Sequence, residues 1–74
     1  MVDYDFLESM DIIVDQSPKN PWQFFITHPD LKHRFVYYPS TGTVVYEGEQ
    51  GPTSSQTVAD CEELYELIME KVNQ

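Results

Sequence analysis

The sequence predicts a small single-domain α+β fold: a helix, a three-stranded antiparallel β-meander, and a C-terminal helix packed on the sheet. Three features point there. Apolar residues recur at helical spacing near both ends, they alternate with a period of two in the middle, and Pro39-Ser40-Thr41-Gly42 separates two β-rich runs. At 74 residues only about 60% of the unfolded chain's surface can be buried on folding. The core must therefore be rich in large side chains, and one Trp, five Tyr and four Phe supply it.

The first helix is expected over 3–14. Phe6, Leu7, Met10, Ile13 and Val14 fall on one side of a helical wheel, and Asp5, Glu8, Asp11 and Asp15 on the other. Asp3 suits the N-cap. A strand over Met10 to Asp15 is the rival, because Ile12, Ile13 and Val14 are β-branched and lower helix propensity. Pro18 and Pro21 then stop regular structure. A strand is expected over 22–27, where Trp22, Phe24 and Ile26 alternate with Gln23, Phe25 and Thr27, and His28-Pro29-Asp30 ends it. The next two strands, 34–38 and 43–47, form a hairpin: Pro39 presets the first turn position and Gly42 can take a left-handed conformation. In that register Arg34 faces Glu47, Phe35 faces Tyr46, Val36 faces Val45, Tyr37 faces Val44 and Tyr38 faces Thr43.

Gly48 to Ser55 reads as a flexible connector. The last helix is expected over 57–72, with Thr57 and Asp60 approximating a capping box. Val58, Cys61, Leu64, Tyr65, Ile68 and Val72 form its apolar stripe. Both faces of the sheet carry apolar residues, so each wants a cover. If the two helices share one face, Phe25, Val36, Tyr38 and Val45 on the other become an apolar contact patch.

Charge is the strongest functional signal. Thirteen acidic residues stand against four basic ones, a formal net charge of −9. They are sorted along the chain. Asp3, Asp5, Glu8, Asp11 and Asp15 occupy the start without a basic residue, and seven acids from Glu47 onward face only Lys71. Lys19, Lys32 and Arg34 sit in the aromatic middle. On the last helix Glu62, Glu66 and Glu70 are four apart, so their carboxylates repeat about every 6 Å along one edge, with Glu63 beside them. No Lys or Arg lies three or four positions from any of the three, and like charges at that interval weaken a helix by roughly 0.2–0.5 kcal/mol per pair. Glu8, Asp11 and Asp15 repeat the theme on the first helix. A solvated face that confers only solubility is the simpler reading of such rows. Two of them on one small body also make a compact polyanion shaped for a basic partner.

Other chemistries find less support. Lys32, His33 and Arg34 beside Phe35, Tyr37, Tyr38 and Tyr46 resemble a stacking platform for single-stranded nucleic acid, but the net charge opposes phosphate and no direct nucleic-acid binding is expected. His28, His33 and Cys61 lack the spacing of a metal site, so no metal or cofactor is expected. Cys61 reads as a small buried hydrophobe among acids that disfavour a thiolate. Gly42, Gly48 and Gly51 make no phosphate loop, and so short a chain has little room for a substrate pocket, so no enzyme is expected. With no signal or membrane-spanning pattern in these residues, the expected setting is cytoplasmic.

In size, charge and architecture the chain resembles the small acidic inhibitors that bacteriophages make against host defence or transcription, some of which imitate nucleic acid. That resemblance implies an inhibitor or regulator bound to a basic surface of a partner protein. A subunit of a larger assembly, or a single-strand binder using the aromatic sheet face, are the alternatives.

Overall fold

The computed structural model describes residues 3–52 and 55–73. Its elements run α1 (Tyr4–Ser9), β1 (Ile13–Gln16), β2 (Phe24–Thr27), β3 (Arg34–Tyr38), β4 (Thr43–Gly48), β5 (Gly51–Pro52), β6 (Gln56–Thr57) and α2 (Cys61–Val72). The class is α+β, as the sequence predicts, but among the described residues the antiparallel sheet has six strands instead of three. Strands β1 to β5 follow one another across it, and β6 returns to pair with β4.

The first correction concerns 3–14. Asp3 does cap the helix, accepting from the N–H groups of Asp5 and Phe6 at 3.0 and 3.3 Å. The helix nevertheless ends at Ser9, and Asp11 takes a left-handed φ of 65°. The rest of the segment becomes β1, with Val14 opposite Ile26 and Asp15 opposite Phe25. Its β-branched residues gain a ladder with β2 that a longer helix would forgo, so tertiary pairing overrides the apolar periodicity. Strand β2 is also shorter than expected: Trp22 lies in the connector, where Gln23 turns back to the Asn20 carbonyl.

The hairpin forms in the expected register, from Arg34 opposite Glu47 to Tyr38 opposite Thr43. Gly42, at φ 72°, donates to the Tyr38 carbonyl at 2.9 Å. Its own carbonyl accepts from Val58 at 2.9 Å, which ties the turn to the chain entering α2. Within the expected connector over Gly48 to Ser55, β5 pairs with the end of β4, and 53 and 54 lie outside the described residues. Thr57, expected to cap the last helix, instead sits in β6 opposite Thr43. The helix begins four residues later than expected. Its N-cap is Asp60, whose carboxylate accepts from Glu63 N–H at 3.0 Å, while Glu63 Oε2 accepts from Ala59 N–H at 3.0 Å. The reciprocal cap is therefore Asp60 with Glu63, three residues further along, and it resembles a capping box except that Glu63 reaches back to the N–H of Ala59, one residue before the N-cap.

Both helices cover the same face of the sheet. Leu7, Ile12, Leu64 and Ile68 pack with Ile26, Phe35, Tyr37, Val44 and Val58 in one core. Tyr4 stacks on Phe24 and Phe6 meets Tyr65 edge-on, so α1 contacts both sheet and α2. Cys61 is half-buried, less enclosed than the sequence suggests. The opposite face carries Phe25, Val36, Tyr38 and Val45, as the shared-face arrangement requires. Of these four, Val36 is buried at 2% exposure, while Phe25, Tyr38 and Val45 are half-buried. The Arg34 guanidinium lies 4.1 Å above the Phe25 ring, and Gln23 donates to the Tyr38 hydroxyl at 3.1 Å.

Candidate functional site

Helix α2 positions the acids. Burying Leu64 and Ile68 against the sheet fixes its rotation, which leaves Glu62, Glu63, Glu66 and Glu70 exposed. A groove of about 220 Å³ runs between this helix and β6. Gln56, Thr57 and Val58 form one wall; Glu63, Glu66, Leu67 and Glu70 form the other. Three carboxylates thus share one concave surface. Glu62 belongs to the same helix face but does not line the groove.

None of this charge is neutralised nearby. The one ion pair among the described residues joins Arg34 Nε to Glu47 Oε1 at 2.7 Å, on the outer face of the sheet. Lys71 places its Nζ 5.1 Å from the centre of the Tyr46 ring instead of against a carboxylate. Among the described residues, Glu62, Glu66 and Glu70 form neither hydrogen bonds nor ion pairs with any other group. Glu63 differs, since one of its oxygens holds the Ala59 N–H. It serves the helix start as well as the groove.

The other predicted acids are not brought together as expected. Glu8 is on α1, Asp11 is in the left-handed turn and Asp15 is on β1, so no single helix face contains them. The groove partners Gln56, Thr57 and Leu67 escape the sequence reading because β6 is two residues long and is held by main-chain pairing to β4. Of the hairpin aromatics, Tyr37 is buried and Tyr46 is half-buried beneath the end of α2, so neither offers a free stacking face. Burial raises the pKa of Tyr37 above the usual tyrosine value, with the Tyr4 hydroxyl adding to the effect, and burial raises that of Tyr4 as well. Those shifts concern the core and leave the groove untouched.

Among the described residues there is no group of three His, Cys, Asp or Glu side chains placed to hold a metal ion, and no helix long and apolar enough to cross a membrane. A second cleft, also about 220 Å³, opens beside the groove and is lined by Phe35, Val44, Tyr46, Gln56, Leu67, Glu70 and Lys71. Gln56, Leu67 and Glu70 are common to both. What the pair of clefts can do is accept long cationic side chains, whose stems lie on Leu67 while their heads meet carboxylates. No protein-family model matches this chain, and no curated protein or solved structure is significantly similar to it.

Proposed function

We propose that the protein works by binding and not by catalysis, as a small acidic inhibitor or regulator that occupies the basic surface of a partner protein, of the kind that binds nucleic acid. The observation that carries this reading is the row Glu62, Glu66 and Glu70, exposed on α2 and paired with no cation among the described residues. Such a row destabilises its helix by its own repulsion, and a cationic partner relieves it. Repeated at about 6 Å, the carboxylates present an anionic edge to residues that otherwise meet phosphates. The type of protein this suggests is the bacteriophage inhibitor that imitates nucleic acid, acting in the cytoplasm. Seated aromatics weaken the single-strand alternative, because Tyr37 lies inside the core.

The test uses the tagged protein as bait in a cell lysate, beside the variant carrying Glu62→Lys, Glu66→Lys and Glu70→Lys. The native chain should retain a basic protein that elutes with salt and is displaced by duplex DNA. The triple variant should lose it. Retention of the same partner with affinity changed by less than about 1 kcal/mol refutes the reading, since several charge pairs at one interface should register at that scale.

A further inference from the structure

The sheet has two edges, and they are treated differently. On the far side, β5 and β6 cover much of β4, pairing with Glu47 and Gly48 and with Thr43 and Val44. On the near side β1 ends the sheet. Ser17, just past β1, donates to the Gln23 carbonyl at 2.9 Å. With the alternation of an antiparallel ladder, this directs the main-chain groups of Ile13 and Asp15 toward β2 and those of Val14 and Gln16 away from it. Among the described residues no further strand takes them up. Proline and lysine, the usual guards of an open edge, are absent from β1.

What surrounds this edge has a definite chemistry. The three large apolar side chains left exposed among the described residues are Met10, Ile13 and Trp22, at 39, 52 and 59%. Ile13 is on β1, Met10 is just before it, and Trp22 is in the connector after it, next to Pro21, whose carbonyl accepts from Gln16 Nε2 at 2.8 Å. The charged residues nearest in sequence are Glu8, Asp11 and Asp15 before and on the strand and Lys19 in the connector after it, all exposed and in no ion pair among the described residues, so acids outnumber the one base three to one. Asp15 and Ile13 project from the same, outer face of the strand, two residues apart.

We propose that the open edge of β1 accepts an extended, cationic segment of a partner protein, which adds to the sheet as a further strand. Main-chain groups of Val14 and Gln16 supply the pairing, and side chains on the outer face supply the selection. An incoming residue opposite Ile13 is apolar, and the one two positions away, opposite Asp15, is Lys or Arg. A second copy of this chain is a poor occupant, because it would bring Asp15 and a net charge of −9 against the same acids. This edge is separate from the groove on α2, and the inference holds whether or not that groove binds anything.

A labelled ten-residue peptide in which isoleucine and lysine take turns at every second position, with threonine between them, so that both face the same side of an extended strand, titrated into the full chain at low salt, tests it. Three companions are the glutamate-for-lysine peptide, a peptide of the same charge N-methylated at every second residue, and its counterpart methylated on the other set. The lysine peptide should bind, and the glutamate peptide should not. One methylated peptide should lose binding and the other keep it, since only one set of amides faces the edge. Asp15→Lys should weaken the complex by roughly tenfold, as reversal of a close cross-strand charge pair implies. Gln16→Pro, checked for folding by circular dichroism, should weaken it further, while Glu62→Lys with Glu66→Lys and Glu70→Lys, compared at physiological salt where charges are screened beyond about 8 Å, should leave it within about twofold, a margin within which distant sites act independently. The proposal is overturned if the lysine peptide fails to bind, if both methylated peptides bind like the parent, or if only the α2 variant loses binding. A native dimer that Gln16→Pro dissociates would also overturn it, by assigning the edge to self-association.

Discussion

Replacing Glu66 by lysine should make this protein more stable. Glu66 lies one turn from both Glu62 and Glu70, about 6 Å along the axis in each direction. Two unit charges that far apart interact by about 0.7 kcal/mol in water, and screening at physiological salt reduces this to roughly 0.3 kcal/mol. That agrees with the roughly 0.2–0.5 kcal/mol found for such pairs on helices. Glu66→Lys turns the repulsive pairs with Glu62 and Glu70, and a third with Glu63 three residues before it, into attractive ones, a gain of about 1–2 kcal/mol in all, and raises the melting temperature by about 4–8 °C per kcal/mol for a domain of this size. Thermal melts followed by circular dichroism measure it. In 1 M salt, where charges are screened beyond about 3 Å, most of the gain should vanish. A melting temperature that does not rise at low salt, or that rises equally in 1 M salt, refutes the account of α2 as a helix strained by its own charge. The same substitution should weaken capture of a basic partner, so that stability and binding move in opposite directions.

Three other perturbations probe the parts that hold the groove in place. Asp60→Ala removes the acceptor for Glu63 N–H and should lower the denaturation midpoint by about 1 kcal/mol's worth, with the slope unchanged. Gly42→Ala should be harsher, by about 2 kcal/mol or more: the turn needs φ 72°, and a Cβ there would stand 2.7 Å from the Val58 carbonyl oxygen. Wild-type melting behaviour of that variant would mean that the turn is not tied to the approach to α2 as described. The third is alkaline pH. Tyr4 and Tyr37 have pKa values raised above the usual 10.0, so the fold favours their neutral forms; the stability they contribute is complete below pH 10 and declines as pH rises through the folded-state values. Ultraviolet titration should find these two ionising above the usual 10.0, and Tyr37→Phe should flatten the decline.

The sequence by itself determined whatever depended on neighbours along the chain. The β3–β4 hairpin is legible because Pro39 and Gly42 fix the turn and the turn fixes the register. Helix α2 is legible because Leu64 and Ile68 recur at helical spacing, and the same spacing predicts that Glu62, Glu66 and Glu70 stand clear of the core. Tertiary structure decided the rest. Met10 to Asp15 fits helical and extended patterns alike, and only pairing with β2 selects the strand, which separates Glu8, Asp11 and Asp15 and leaves an open edge. Strands β5 and β6 are too short to carry a side-chain period; main-chain bonds to β4 create them, and with β6 comes the second wall of the groove. The choice of one sheet face by both helices, and the placing of Arg34 over Phe25 on the other, arise between residues well separated in sequence. Local periodicity encodes which side of an element is apolar, whereas the partner that covers it is chosen only when the whole chain closes.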